Sequence, residues 1–397
     1  MKKIAKSSQL IKHSGIEALH KKIVSSSAKE GGFVELWKSV ISLAGRASRL
    51  PNHIPLLGLP VESVTFSHEQ VAILLAAQFV SKDQNGFFGC LSSGNEIGVE
   101  KLYSMLTFFR LMVSSPPDGN ISFRIHSLRE FHTLWILREQ LCLKETEIRD
   151  HSKPDDDVYS SKILPTTSAI GGSIFRASKV GGEEETTMLE RPELLVARTL
   201  LAELKQDTVV SVIGDLRFCE VRRARGMLTF ERGVQEVGRR AGEEYRDVHL
   251  RNPAETLIVP MTTFPRNDVK EQVELMEDDV RSLCTAMTAQ TDCADVPVIF
   301  DTRSLTRTSN EMLMILKALI AATFASRRLV IVTSTTDVSR RGKALMESLR
   351  DHKITIGGLK KLVKFTLNDP SLLPDDVFSA LDDAISRSGV QEDDLLV

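Results

Sequence analysis

The chain has 397 residues, 42% hydrophobic and 26% charged, with a formal net charge of -2. Such a length and apolar content suffice for one large core or two ordinary ones, and near-neutrality excludes bulk electrostatic attraction to nucleic acid, leaving only a local basic patch open. The cysteines at positions 90, 142, 219, 284 and 293 are odd in number, scattered and without CxxC or Cys/His spacing, so neither a disulfide framework nor a structural zinc site is expected, and a reducing compartment fits best.

In chain order, the opening segment MKKIAKSSQLIKHS is basic and carries Ile4, Leu10, Ile11, Ile16, Leu19 and Ile23 at spacings that line one helix face. It reads either as a mitochondrial presequence or as a surface helix. The first arginine is Arg46 and Glu17 comes early, which favours the surface helix. Residues 1–140 read as a helical region. Ser67-His-Glu-Gln70 has capping-box spacing ahead of VAILLAAQF, and KLYSMLTFFRLM (101–112) is apolar on most faces, as a buried helix requires. The run 71–80 is interrupted by Gln78 and followed by Ser81, Lys82 and Asp83, so no membrane segment is expected. Pro116-Pro-Asp-Gly119 ends the region in a turn.

From residue 141 the pattern changes to short Val/Ile-rich runs alternating with helical stretches, and 141–368 is expected to be an α/β domain with a mostly buried sheet. Strands are expected at TVVSVIG (208–214), TLIVPM (256–261), PVIF (297–300) and RLVIVTS (328–334), with helices near 189–205, 268–290, 309–326 and 338–351. HSKPDDD (151–157) reads as a polar loop and 232–251 as an exposed Gly/Arg/Glu-rich stretch; 369–397 is assigned as a helical or flexible tail. The nine histidines share no spacing with cysteine or carboxylates, so no metal and no cofactor is assigned.

The stretch AIGGSIFRASKVGGEEETTMLERPELLVARTL (169–200) carries the chemistry. A double glycine, a spacer and three glutamates run into an apolar helical pattern, placing carboxylates where a loop enters a helix. This suits a sugar-phosphate site. Two plainer readings stand beside it: Glu183, Glu184 and Glu185 are acidic residues at a helix entry, which the macrodipole favours, and Gly171-Gly172 and Gly181-Gly182 are loop hinges.

VTFSHEQVAILLAAQF (64–79), FFRLMVSSPPDGNISFRIHSL (108–128), RPELLVARTLLAEL (191–204), VIGDLRFCEV (212–221) and HKITIGGLKKLV (352–363) follow one another in an order that resembles the poly(ADP-ribose) glycohydrolase family, over roughly residues 50–365. The resemblance implies a macrodomain-like three-layer α/β sandwich with a mixed sheet, preceded by an α-helical accessory region. It also implies hydrolysis of ribose-ribose O-glycosidic bonds in poly(ADP-ribose). Such cleavage passes through an oxocarbenium-like state and demands a carboxyl group that first gives and then takes a proton. On this resemblance Glu185 is the general acid/base, Glu184 positions ribose, and Gly171, Gly172, Asp337 and Glu183, which stands where the family has glutamine, contribute to substrate binding. The implied partner is poly(ADP-ribose) or ADP-ribose, with protein partners as a further expectation. No membrane or metal partner is implied, and the compartment is nuclear or cytoplasmic, with mitochondria the lesser alternative.

The chain departs from the family pattern at several points. Its glycine triplet becomes Gly171-Gly172-Ser173, Leu164 and Thr167 replace an aspartate and an asparagine, and 217–230 lacks the adenine-stacking tyrosine. The second glycine loop aligns with glycine-free 298–311, and Phe-Gly-Asp becomes Thr335-Thr336-Asp337. Arg217, Arg222, Arg223 and Arg225 either grip phosphate in place of the missing loop or form a solvated face. Asp301 and Asp337 either meet ligand at strand ends or cap the following turn. These departures keep an alternative open, an inactive homologue that binds ADP-ribose or a nucleotide or acts as a scaffold in a larger assembly.

Overall fold

A computed structural model describes residues 33–58, 60–80, 96–150, 160–166, 170–171, 174, 183–201, 203–224, 227–233, 255–262, 269–289, 296–302, 308–367 and 377–388. The presequence-like segment, the 151–157 loop, Gly172, Gly181, Gly182, Arg225 and most of 232–251 lie outside the described residues, as do the side chains of Glu183 and Arg223.

The elements in chain order are α1 (Phe33–Ala44), β1 (Ser63–Ser67), α2 (His68–Val80), α3 (Glu96–Ser114), β2 (Asn120–Ser127), α4 (Phe131–Arg138), β3 (Glu147–Asp150), β4 (Ser161–Thr166) and α5 (Glu183–Glu190). A 3-10 turn (Pro192–Val196) and the short α6 (Ala197–Leu200) follow, then β5 (Thr208–Ile213), β6 (Cys219–Ala224), β7 (Met227–Gly233), β8 (Glu255–Pro260) and α7 (Val269–Thr288). The chain continues through β9 (Val298–Asp301), α8 (Thr308–Ala325), β10 (Leu329–Thr333), α9 (Thr336–Asp351), α10 (Ile356–Leu367) and α11 (Val377–Ser388). Eight of the strands form one sheet in the order β1-β2-β5-β8-β4-β9-β10-β3, and β6 with β7 makes a separate antiparallel hairpin. β1 and β2 pair antiparallel, whereas β8/β4, β4/β9, β9/β10 and β10/β3 are parallel. The sheet is thus mixed and mostly parallel, with flanking helices, as in a three-layer α/β sandwich.

The chain forms two compact units, each discontinuous in sequence: Met1–Arg124, Ala169–Glu203 and Val212–Asn252 in the first, Ile125–Ser168, Leu204–Ser211 and Pro253–Val397 in the second. In the first unit, Leu36, Val40 and Leu43 recur at helical spacing and are fully buried as α1 packs on α2 and α3. Burial of each such side chain contributes about 1.5–3 kcal/mol. The expected capping box is present: the Ser67 N–H donates to Gln70 Oε1 at 3.0 Å and the Gln70 N–H to Ser67 Oγ at 3.2 Å. Glu69, in the first turn of α2, accepts from Arg46 at 3.0 Å, which suits an acidic residue at a helix start. Helix α3 is the spine of this unit, with Phe109 against Phe79, Phe108 against Phe218 and Tyr103 against Phe230 at ring separations of 5.3, 4.8 and 5.0 Å. Two strands, β1 and β2, lie inside the stretch whose sequence reads as helical. Of their five- and eight-residue runs only Phe66 in β1 and Ile121 and Phe123 in β2 are buried, too few for a strong alternation signal.

The second unit is built by apolar burial. β8, β9 and β10 are buried at every position, and α8 is buried at nearly every residue from Glu311 to Phe324. The Val/Ile runs that mark these strands in the sequence are the composition a parallel strand covered on both faces requires. Polar knots interrupt this core, the buried Ser161 hydroxyl donating to Glu255 Oε2 at 3.3 Å among them. Lys317 of α8 pairs with Asp279 of α7, both wholly buried, while Asp279 also accepts from the Thr262 N–H at 2.7 Å and its hydroxyl at 2.8 Å. Burial pulls the Lys317 ammonium below the usual lysine value, against the opposing pull of Asp279. Glu311 takes the Thr302 hydroxyl at 2.9 Å and the Ser334 N–H at 2.7 Å, tying the segments that follow β9 and β10.

Candidate active site

The three glutamates begin α5, as the helix-entry pattern implies. Proline then cuts the helix that the sequence suggests for 189–205. Arg191 sits at φ -127°, ψ 69°, outside helical geometry, and Pro192 starts a 3-10 turn before α6 ends at Leu200. The break turns residues 191–196 back into the first unit, where all of 191–197 is buried.

Glu185 is fully buried, and its Oε2 lies 3.1 Å from Nζ of Lys101, itself fully buried on α3. One turn further along both helices, the Ser104 hydroxyl donates to the Leu189 carbonyl at 3.2 Å. α3 therefore braces α5 at two levels. Glu184 points elsewhere: its Oε1 accepts the Gly171 N–H at 2.7 Å. Gly171 has φ +66°, a left-handed conformation glycine adopts at little cost. Two residues named from the sequence, Gly171 and Glu184, thus meet directly.

The rest of the segment is fixed by further buried pairs. Arg191 donates to Asp215 Oδ2 at 3.0 Å. Glu193 accepts from the Leu216 N–H at 3.1 Å, and its Oε1 lies 2.6 Å from His68 Nδ1. Burial pushes the Glu193 carboxyl above its usual value, with the His68 bond pulling the other way. Glu190 takes the Arg217 guanidinium at 2.8 Å and the Val221 N–H at 2.9 Å. The turn that supplies Asp215 and Leu216 depends on Gly214, at φ +91°, where an added Cβ would lie 2.5 Å from the Asn120 carbonyl oxygen. Cys219, buried beside Ser104, has its thiol pushed up to about 12 by burial, which removes it as a nucleophile.

The other residues singled out from the sequence have structural surroundings of their own. Arg217 spends its guanidinium on Glu190, and Arg222 is exposed on β6. Asp337 belongs to the second unit, where it is the second residue of α9 and pairs with Arg340 at 2.7 Å, while Thr335 caps that helix by accepting the Val338 N–H at 3.2 Å. Leu164 is wholly buried on β4, and Asp301 is buried as the last residue of β9. Among the described residues no group of three or more His, Cys, Asp or Glu stands together as a metal site, and no helix is long and apolar enough to cross a membrane. Lys101, His68 and Asp215 were not read from the sequence as site residues. Lys101 did carry a signal, because a lysine inside a helix apolar on most faces must find a buried partner.

The fold and this segment define an α/β protein in which one of two adjacent glutamates at the start of a helix accepts the Gly171 N–H. No protein-family model matches the chain. It is 30% identical over 229 residues to Poly(ADP-ribose) glycohydrolase 1 of Caenorhabditis elegans, covering 57% of this chain and 29% of that protein. It is 28% identical over 214 residues to Poly(ADP-ribose) glycohydrolase 2 of the same organism, covering 53% of this chain and 44% of that protein. The chain is thus similar to two poly(ADP-ribose) glycohydrolases, and it matches less than half the length of either of these curated relatives.

Proposed function

We propose that the chain hydrolyses ribose-ribose O-glycosidic bonds of poly(ADP-ribose), with Glu185 as general acid/base and Glu184 positioning ribose. The observation that carries this reading is the meeting of Gly171 and Glu184 at 2.7 Å beside a Glu185 paired with Lys101, which keeps Gly171 and both glutamates in one place. In the reaction the Glu185 carboxyl protonates the leaving ribose oxygen as the glycosidic bond breaks. The resulting carboxylate then takes a proton from the water that adds to the anomeric carbon, regenerating the acid. On the same proposal the domain is macrodomain-like and its residence nuclear or cytoplasmic.

A second reading, a catalytically silent member, is favoured by the burial of Glu185, which has no accessible surface. A general acid must come within hydrogen-bond reach of the oxygen it protonates. Release of ADP-ribose from poly(ADP-ribose) separates the two. Hydrolysis predicts release by the unaltered chain and a roughly 10²-fold lower kcat for Glu185→Asp, which keeps the charge opposite Lys101 but withdraws the carboxyl by one methylene. No release by the unaltered chain leaves the silent reading.

A further inference from the structure

We infer that Lys101 is a positioning residue for Glu185, an inference that rests on the hydrolytic reading above. Lys101 comes from α3, 84 residues away in sequence and outside the glycine-glutamate motif. Its ammonium engages Oε2 at 3.1 Å, and both side chains are wholly buried. An ion pair so placed is a poor device for stability alone, since desolvating two charges costs several kcal/mol and an apolar pair of like volume serves as well or better. Its location gives it a second effect. When Glu185 gives up its proton, negative charge develops on a carboxylate facing a fixed cation in a dry site, where that interaction is stronger than in water. Ser104, one turn along α3, holds the Leu189 carbonyl and so fixes the α5 backbone that carries Glu185. Lys101 acts on the reaction only through Glu185 and is assigned no contact with substrate.

Two readouts test the inference, one of them independent of turnover. The first is modification of Glu185 by a carbodiimide and an amine, followed by mass spectrometry. Glu185 should resist modification in the unaltered chain and become modified in Lys101→Met, where its carboxyl loses the contact that holds it. Equal modification in the two proteins overturns the inference. The second is steady-state kinetics, corrected for the folded fraction: Lys101→Met should lower kcat roughly 10²-fold with KM within about threefold, and Lys101→Arg should recover part of the loss. An unchanged kcat per folded molecule means a structural pair only and overturns the inference. If the unaltered chain releases no ADP-ribose, the hydrolytic reading fails on its own, and the modification result alone decides whether Lys101 governs Glu185.

Discussion

The two units spend polar groups differently. In the first, the buried pairs Lys101–Glu185, Arg191–Asp215 and His68–Glu193 all act on one stretch of chain, 185–193, and hold it from α3, from the turn after β5 and from α2. In the second, an extended aliphatic core spans strands and helices, and Lys317–Asp279 with Glu311 are isolated knots that tie neighbouring elements. Apolar burial is non-directional and suffices to build a platform. Fixing a particular carboxylate needs directional partners, and these are concentrated where the glutamates are.

The comparison breaks most visibly at the buried pairs. Lys317→Met leaves Asp279 buried opposite an apolar side chain and should cost about 3–5 kcal/mol in urea unfolding, with much of the loss recovered in Lys317→Met/Asp279→Asn. Loss without recovery would mean that the pair is not the unit of stability. His68→Ala should cost a comparable amount and, unlike Lys317→Met, should also disturb the chemistry, because Glu193 and the Glu185-bearing segment belong to one connected stretch. Gly214→Ala forces a Cβ against the Asn120 carbonyl oxygen at a positive φ, for an expected loss of about 1–3 kcal/mol. A smaller effect, about 1 kcal/mol, is expected for Ser67→Ala, which removes half the capping box.

The weakest effect concerns Glu277, whose side chain is part exposed. Hydrogen bonds from Lys360 and Lys364 hold its carboxyl at about 2, below the ordinary 4.5. A depressed folded-state value stabilises the protein above about 4.5, and that contribution is lost as pH falls towards about 2. Solvent screening makes it small. Lys360→Met/Lys364→Met should flatten the stability profile in that window only; an unchanged profile would assign acid sensitivity to other groups.

Legibility in the sequence follows the same division. Four strands are written as Val/Ile runs, and these, β5, β8, β9 and β10, fall within a residue or two of the expected segments. The capping box at Ser67 and the glutamates at the start of α5 are local patterns and were equally readable. Strands β1 to β4 were not, because short or partly buried runs carry weak periodicity, and Pro192 divided a helix that composition favoured. The site was legible only in its local half. Glu184 and Gly171 are 13 residues apart, within one motif, whereas Lys101 reaches Glu185 across 84 residues and His68 reaches Glu193 across 125, pairings that exist only once α2 and α3 have packed.

Binding and turnover measured together on Lys101→Met/Glu185→Gln test the central claim most directly. The double substitution removes both members of the buried pair, so neither charge is left stranded and the fold should be kept. With Glu185 as acid/base, calorimetry should find ADP-ribose binding within a few-fold of the unaltered chain while release of ADP-ribose from poly(ADP-ribose) stops. Release that continues in the double variant, or binding and release that vanish together while the fold is intact, would contradict that role.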